Sequence, residues 1–216
     1  MNILETKIAN AKWNLKKIQF LHPPDNFPGS FSNEIMQVKH EAMKEAKIIA
    51  ILTDLEASDR PMKAMSVLNK LDHIQFILNN IEPFKADLSL EKALLKLYTR
   101  ENSSFESGGL YDIWHQLFNL CSSEQFYSLG TPFPEGSIPA FRGSVAGLPK
   151  GFSWTVNREK VDWFTERWRD KSLGGGTIFS THICREDILI YLNEKKEGEI
   201  IVSPKFLEAA DIKKYI

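Results

Sequence analysis

The feature that most constrains this chain is a change of hydrophobic period near residue 130. Before it, apolar residues recur at steps of three and four over long stretches; after it they come in short runs between turn residues. The first pattern is that of a helix burying one stripe, and the second is that of buried strands. Between them lies Gly130-Thr131-Pro132-Phe133-Pro134-Glu135-Gly136, a turn-rich segment suited to a boundary between modules. The sequence therefore predicts an α+β chain, all-helical over 1–130 and mixed helix and strand over 131–216. At 216 residues there is ample chain to bury a core.

Within the helical half, Ile3, Ile8, Ala11, Leu15, Ile18 and Leu21 predict a first helix that Pro23-Pro24 ends. A long second helix over 31–57 takes Ile35, Val38, Ala42, Ala46, Ile49 and Thr53 as its apolar face. Ser58-Asp59-Arg60-Pro61 opens a third, running through Met65, Leu68, Leu71, Ile74, Leu78 and Ile81. Ser89 caps a fourth ending near Arg100, and 110–126 forms a fifth with Trp114, Leu117 and Phe118 inward. Beyond the boundary, strands are expected at 138–144, 151–156, 177–183 and 199–202, with helices at 157–169 and 185–193.

Charge excludes some partners. Lys and Arg number 27 against 28 Asp and Glu, so no global positive field draws the chain to nucleic acid or an anionic membrane. No window approaches the roughly 20 apolar residues needed to cross a bilayer. The first 21 residues are interrupted by Glu5, Lys7, Lys12 and Lys16 and do not read as a signal peptide. A cytoplasmic protein is expected, or one delivered into another cell without such a signal. Cys121 and Cys184 read as reduced thiols.

Familiar chemistry is mostly missing. The five histidines are scattered without zinc spacing, so no metal is expected. No Walker, Rossmann or Gly-x-Ser-x-Gly pattern occurs, and Gly174-Gly175-Gly176 precedes a strand, as a turn does, rather than opening a phosphate-binding helix. What remains is an ordered set: Phe141-Arg142-Gly143, then Ser153-Trp154-Thr155 leading into a helix with Trp163 and Phe164, then Glu197-Gly198-Glu199-Ile200-Ile201-Val202-Ser203-Pro204. Taken singly, Arg142 fits a salt bridge, the two glutamates a solvated turn, and Trp154 the core packing usual for aromatics.

As an ordered set these residues resemble the arginine-serine-glutamate group of mono-ADP-ribosyltransferases, over about the last 80 residues only. In that family an arginine on the first strand of the catalytic fold precedes a serine-x-serine/threonine strand, and a Glu-x-Glu opens a later apolar strand. The resemblance implies a split pair of small sheets with NAD as co-substrate and no metal. It assigns Glu199 to stabilising the positive charge that develops on the ribose, Ser153 to orienting Glu199, and Glu197 to the acceptor nucleophile. Arg142, Gly143, Ser153, Thr155 and Trp154 are then the cofactor-binding set, with the Arg142 fork suited to pyrophosphate. The Glu-x-Glu form implies a protein acceptor, with arginine as the residue modified.

Two departures stand out. Only eleven positions separate Arg142 from Ser153, and Ser180-Thr181 offers a rival serine-threonine motif. Ser153 is preferred because a helix follows it. The helical half is read as the part that recognises the target or binds a regulatory or inhibitory protein, the arrangement of a toxin or effector. Two other readings stay open: an NAD glycohydrolase using the same residues, and a non-catalytic partner-binding protein that retains the fold.

Overall fold

The structure, a computed structural model, describes residues 3–20, 33–99, 111–144, 147–167, 176–193 and 198–215. Glu197, Gly174, Gly175, Trp168 and the Pro23-Pro24 stop lie outside the described residues. The α+β class is as the sequence predicts, with helices in the first part and an antiparallel sheet in the last. The expected split pair of small sheets is corrected to one six-stranded sheet, joined because the strand Ile138–Ser144 pairs with both Ser153–Thr155 and Thr177–Ile183. The chain divides into two compact units, Met1–Leu110 and Tyr111–Ile216. The division therefore falls some twenty residues before the turn-rich segment. Residues 111–129, expected with the helical half, belong to the second unit because their aromatics pack there: Tyr111 stacks on Phe152 at 5.0 Å, and Phe118 meets Phe152 edge-on at 5.0 Å.

In the first unit, α1 (Ile3–Ala9) stops well short of the expected helix. Residues 10–20 continue as irregular backbone, with Trp13, Leu15, Ile18 and Phe20 nevertheless buried. Beside a few local bonds such as Ile18 N–H to the Leu15 carbonyl, backbone partners come from distant side chains. Asn80 accepts from the Asn14 N–H at 2.9 Å and donates to the Asn14 carbonyl at 3.0 Å, Asn79 donates to the Lys16 carbonyl, and Asp72 accepts from the Gln19 N–H at 2.9 Å. Lys17 and Phe20 take positive φ, at 63° and 52°, which an uninterrupted α-helix does not allow.

The long helix α2 (Glu34–Glu56) forms as expected, but with another face inward. Ile48, Ile51 and Leu55 are buried, while Ile35 and Val38, on the opposite stripe, are 78% and 61% exposed. The expected third helix is three: α3 (Pro61–Val67), α4 (His73–Asn79) and α5 (Ile81–Ala86). The breaks fall at Asn69, whose side chain accepts from the Leu71 N–H, and at Asn80, whose side chain is committed to Asn14 and the Phe76 carbonyl. Side-chain competition of this kind is why asparagine interrupts helices. Helix α6 (Leu90–Thr99) matches expectation and buries Leu90, Ala93, Leu94 and Leu97.

In the second unit, α7 (Tyr111–Asn119) and α8 (Ser123–Ser128) replace the single fifth helix, because Ser122 caps a new start by accepting from the Gln125 N–H. The sheet follows: β1 (Ile138–Ser144), β2 (Ser153–Thr155), α9 (Arg158–Arg167), β3 (Thr177–Ile183), β4 (Ile188–Leu192), β5 (Glu199–Val202), α10 (Pro204–Ala209) and β6 (Lys213–Lys214). The strand order is β4-β5-β2-β1-β3-β6. The 185–193 helix is corrected to a 3-10 turn, Arg185–Asp187, and strand β4. Ile188, Leu189, Ile190 and Tyr191 are all buried, so the run has no one-sided period and its β-branched and aromatic residues favour a strand. Between β1 and β3 seven pairs are in register, but β1 and β2 share only Phe141 with Thr155.

Candidate functional site

The three strands carrying the motif residues are neighbours, in the order β5-β2-β1. Residues directly opposite in an antiparallel ladder share a face, and alternate residues change face. Thr155 pairs with Glu199 on one side and with Phe141 on the other, and Ser153 pairs with Ile201. Glu199, Thr155, Ser153, Phe141 and Gly143 therefore share one face. Thr155 is the direct neighbour of Glu199, with Ser153 one diagonal step further, so the position expected of Ser153 is filled by Thr155.

Local bonds fix this corner. The Thr155 Oγ1 accepts from the Asn157 N–H at 2.9 Å, and Asn157 Oδ1 accepts from the Lys160 N–H, so β2 turns directly into α9. Gly198, with φ +57°, donates to Asn193 Oδ1 at 3.2 Å, and its carbonyl accepts from the Val156 N–H at 3.0 Å. A side chain at 198 would strike Val156, so glycine is required both by the backbone angle and by the approach. The central residue of the Glu197-Gly198-Glu199 motif thus sets the direction in which Glu199 enters β5.

Arg142 stands one position beyond Phe141 and so faces the other way, with Trp154. Its Nη1 donates to the Ser153 carbonyl at 2.9 Å, bridging the two strands where the ladder is thinnest. Gly151 lies so close to the guanidinium that any side chain there would collide with it. Burial, and then the Asp112 carboxylate, push the nearby Tyr111 hydroxyl above its ordinary range, with Arg142 acting against them. Trp154, expected beside a cofactor, is only 2% exposed and donates its indole N–H to the Gly151 carbonyl at 2.8 Å. It is a core residue, on the face opposite Glu199.

A cavity of about 640 Å3 opens beside Phe141, walled by residues of β1, β3, the 3-10 turn before β4, α10 and β6. Arg142, Ser153, Thr155 and Glu199 do not line it. The rival serine, Ser180, does, in register with Phe141. Sequence reasoning missed this wall because β6, two lysines long, carries no apolar pattern. Among the described residues, no helix is long and apolar enough to cross a membrane and no group of three His, Cys, Asp or Glu is placed to hold a metal ion. No protein-family model, curated protein or solved structure matches this chain.

Proposed function

We propose that the second unit is an NAD-dependent mono-ADP-ribosyltransferase that moves ADP-ribose from NAD to a protein acceptor. The observation that carries this reading is the adjacency of β5, β2 and β1, which gathers motif residues from 142 to 199 into one stretch of sheet, with Glu199 directly opposite Thr155.

The bond that breaks joins the ribose C1′ to nicotinamide, which leaves as a neutral ring with the bonding electrons. The bond that forms joins C1′ to the acceptor, whose proton passes to Glu197 or to water. Positive charge grows on the ribose in between, and the Glu199 carboxylate stabilises it more than it stabilises bound NAD. At ~4 Å and an effective dielectric near 20, that attraction is about 4 kcal/mol, near a thousandfold in rate as an upper figure. Thr155 and Ser153 are positioning residues for Glu199 in this scheme. Arg142 holds the β2 backbone through the Ser153 carbonyl and so fixes the strand that carries Thr155 and Ser153. The first unit serves target recognition or regulation.

Incubating the full chain with labelled NAD and a cell extract tests the reading. The wild type is expected to release nicotinamide and label protein, and Glu199→Gln, which keeps shape but loses charge, to do both about a thousandfold more slowly. Free ADP-ribose without labelled protein would assign water as the acceptor, as in a glycohydrolase. Equal nicotinamide release by both proteins, or none by either when folded, would overturn the assignment.

A further inference from the structure

The cavity beside Phe141 has a size typical of small-molecule sites, and its Phe141 wall shares the face of Glu199. A single registered row, Glu199-Thr155-Phe141-Ser180-Lys213, crosses five strands from one to the other. Phe141, the near wall, is two strand spacings from Glu199, about 10 Å. Phe141 and Tyr215 meet at 5.5 Å and 86°, forming an aromatic corner. Arg158 lies 4.1 Å from the Tyr215 ring centre, its guanidinium held by Asp162. The Tyr215 N–H donates to the Ile178 carbonyl at 2.8 Å, and Thr181 Oγ1 donates to the Asp211 carbonyl at 3.0 Å, so backbone bonds fix the far wall.

The polar lining has a direction. Asp211 pairs with Lys213 at 3.2 Å, and Asp187 accepts from both the N–H and the S–H of Cys184. Lys205, His182 and Glu186 line the same cavity. A planar aromatic group fits the corner, and phosphate oxygens fit the lysines.

We propose that this cavity holds the adenine-nucleotide half of the dinucleotide, its base against Phe141 and Tyr215 and its phosphates toward Lys205 and Lys213. The inference rests on the transferase reading for the identity of the dinucleotide. It makes Lys205 and Lys213, rather than Arg142, the phosphate cations.

Calorimetric titration of the full chain with AMP, nicotinamide mononucleotide and NAD tests it, in the wild type, Tyr215→Ser and Lys205→Glu. Tyr215 is 44% exposed, and serine keeps its backbone bond, so this variant retains the fold. Loss of the aromatic wall is expected to weaken AMP and NAD about tenfold and to leave nicotinamide mononucleotide unchanged. Lys205→Glu should weaken AMP further at low salt than at high salt. Wild-type AMP binding indifferent to both substitutions, or no AMP binding, overturns the proposal. If AMP binds and responds while NAD is neither bound nor consumed, the cavity stands as a nucleotide site and the transferase reading fails.

Discussion

Residues 10–20, which form no helix or strand, and strand β2, three residues long, are both held in place, but by opposite means. The 10–20 segment owes its long-range backbone bonds to three side chains, Asn79, Asn80 and Asp72, more than fifty residues away. Strand β2 pairs with β5 over three registered positions, and Arg142 supplies the bond that the thin β1 side lacks. A ladder specifies which residues share a face; a set of amide side chains specifies only a path. A site that depends on which side chains line up is therefore safer on the sheet.

The comparison breaks most sharply at Trp154. Trp154→Ala removes a buried indole between β1 and β5 and should cost about 4 kcal/mol, read as a lower urea midpoint for the second unit's transition. Asn80→Ala is expected to cost the first unit less, about 3 kcal/mol, because both polar groups of Asn14 lose a partner. An equal or larger loss than for Trp154→Ala would show that amide side chains hold their segment as strongly as the core holds the sheet. Arg142→Lys keeps a cation but loses the fork, and should cost about 1 kcal/mol.

The smallest effect is chemical. Cys184 and Asp187 form the one described turn of the sheet unit in which a carboxylate takes both a backbone N–H and a thiol, and that carboxylate, followed by burial, pushes the thiol up to about 11. The raised value means the protonated thiol is favoured by folding, a stabilisation present below the unfolded thiol's range near 9 and lost as pH climbs toward 11. With Cys121 replaced by serine, alkylation at pH 8.5 should be slow and should quicken in Asp187→Asn. Unchanged rates would remove the carboxylate as the cause.

Much of this contrast was legible in advance. The boundaries of β1, β3 and β5 follow directly from their apolar runs and flanking turn residues. The irregular path of 10–20 was hidden because its apolar residues keep a helical spacing while the bonds that divert it come from Asn80 and Asp72. Strand β4 was hidden because a run buried at four successive positions has no period to read. For the site, the order Arg142, Ser153, Glu199 was visible, but face and partner were not: only the Phe141-Thr155 and Thr155-Glu199 pairs reveal that Thr155 is the neighbour of Glu199 and that Arg142 turns away. The exposed stripe of α2 shows the same limit, since Ile35 and Val38 mark an apolar face without saying that Ile48 and Leu55 would be chosen instead.

The burial of Trp154 also acts as a ratchet. Strand β2 is three residues long, and a slip by one residue would exchange its two faces. Such a shifted frame would push the indole into water and drive the Ser153 and Thr155 hydroxyls into the apolar layer, two penalties that add. A ring on one face of the sheet thus guards the alignment of Thr155 with Glu199 on the other.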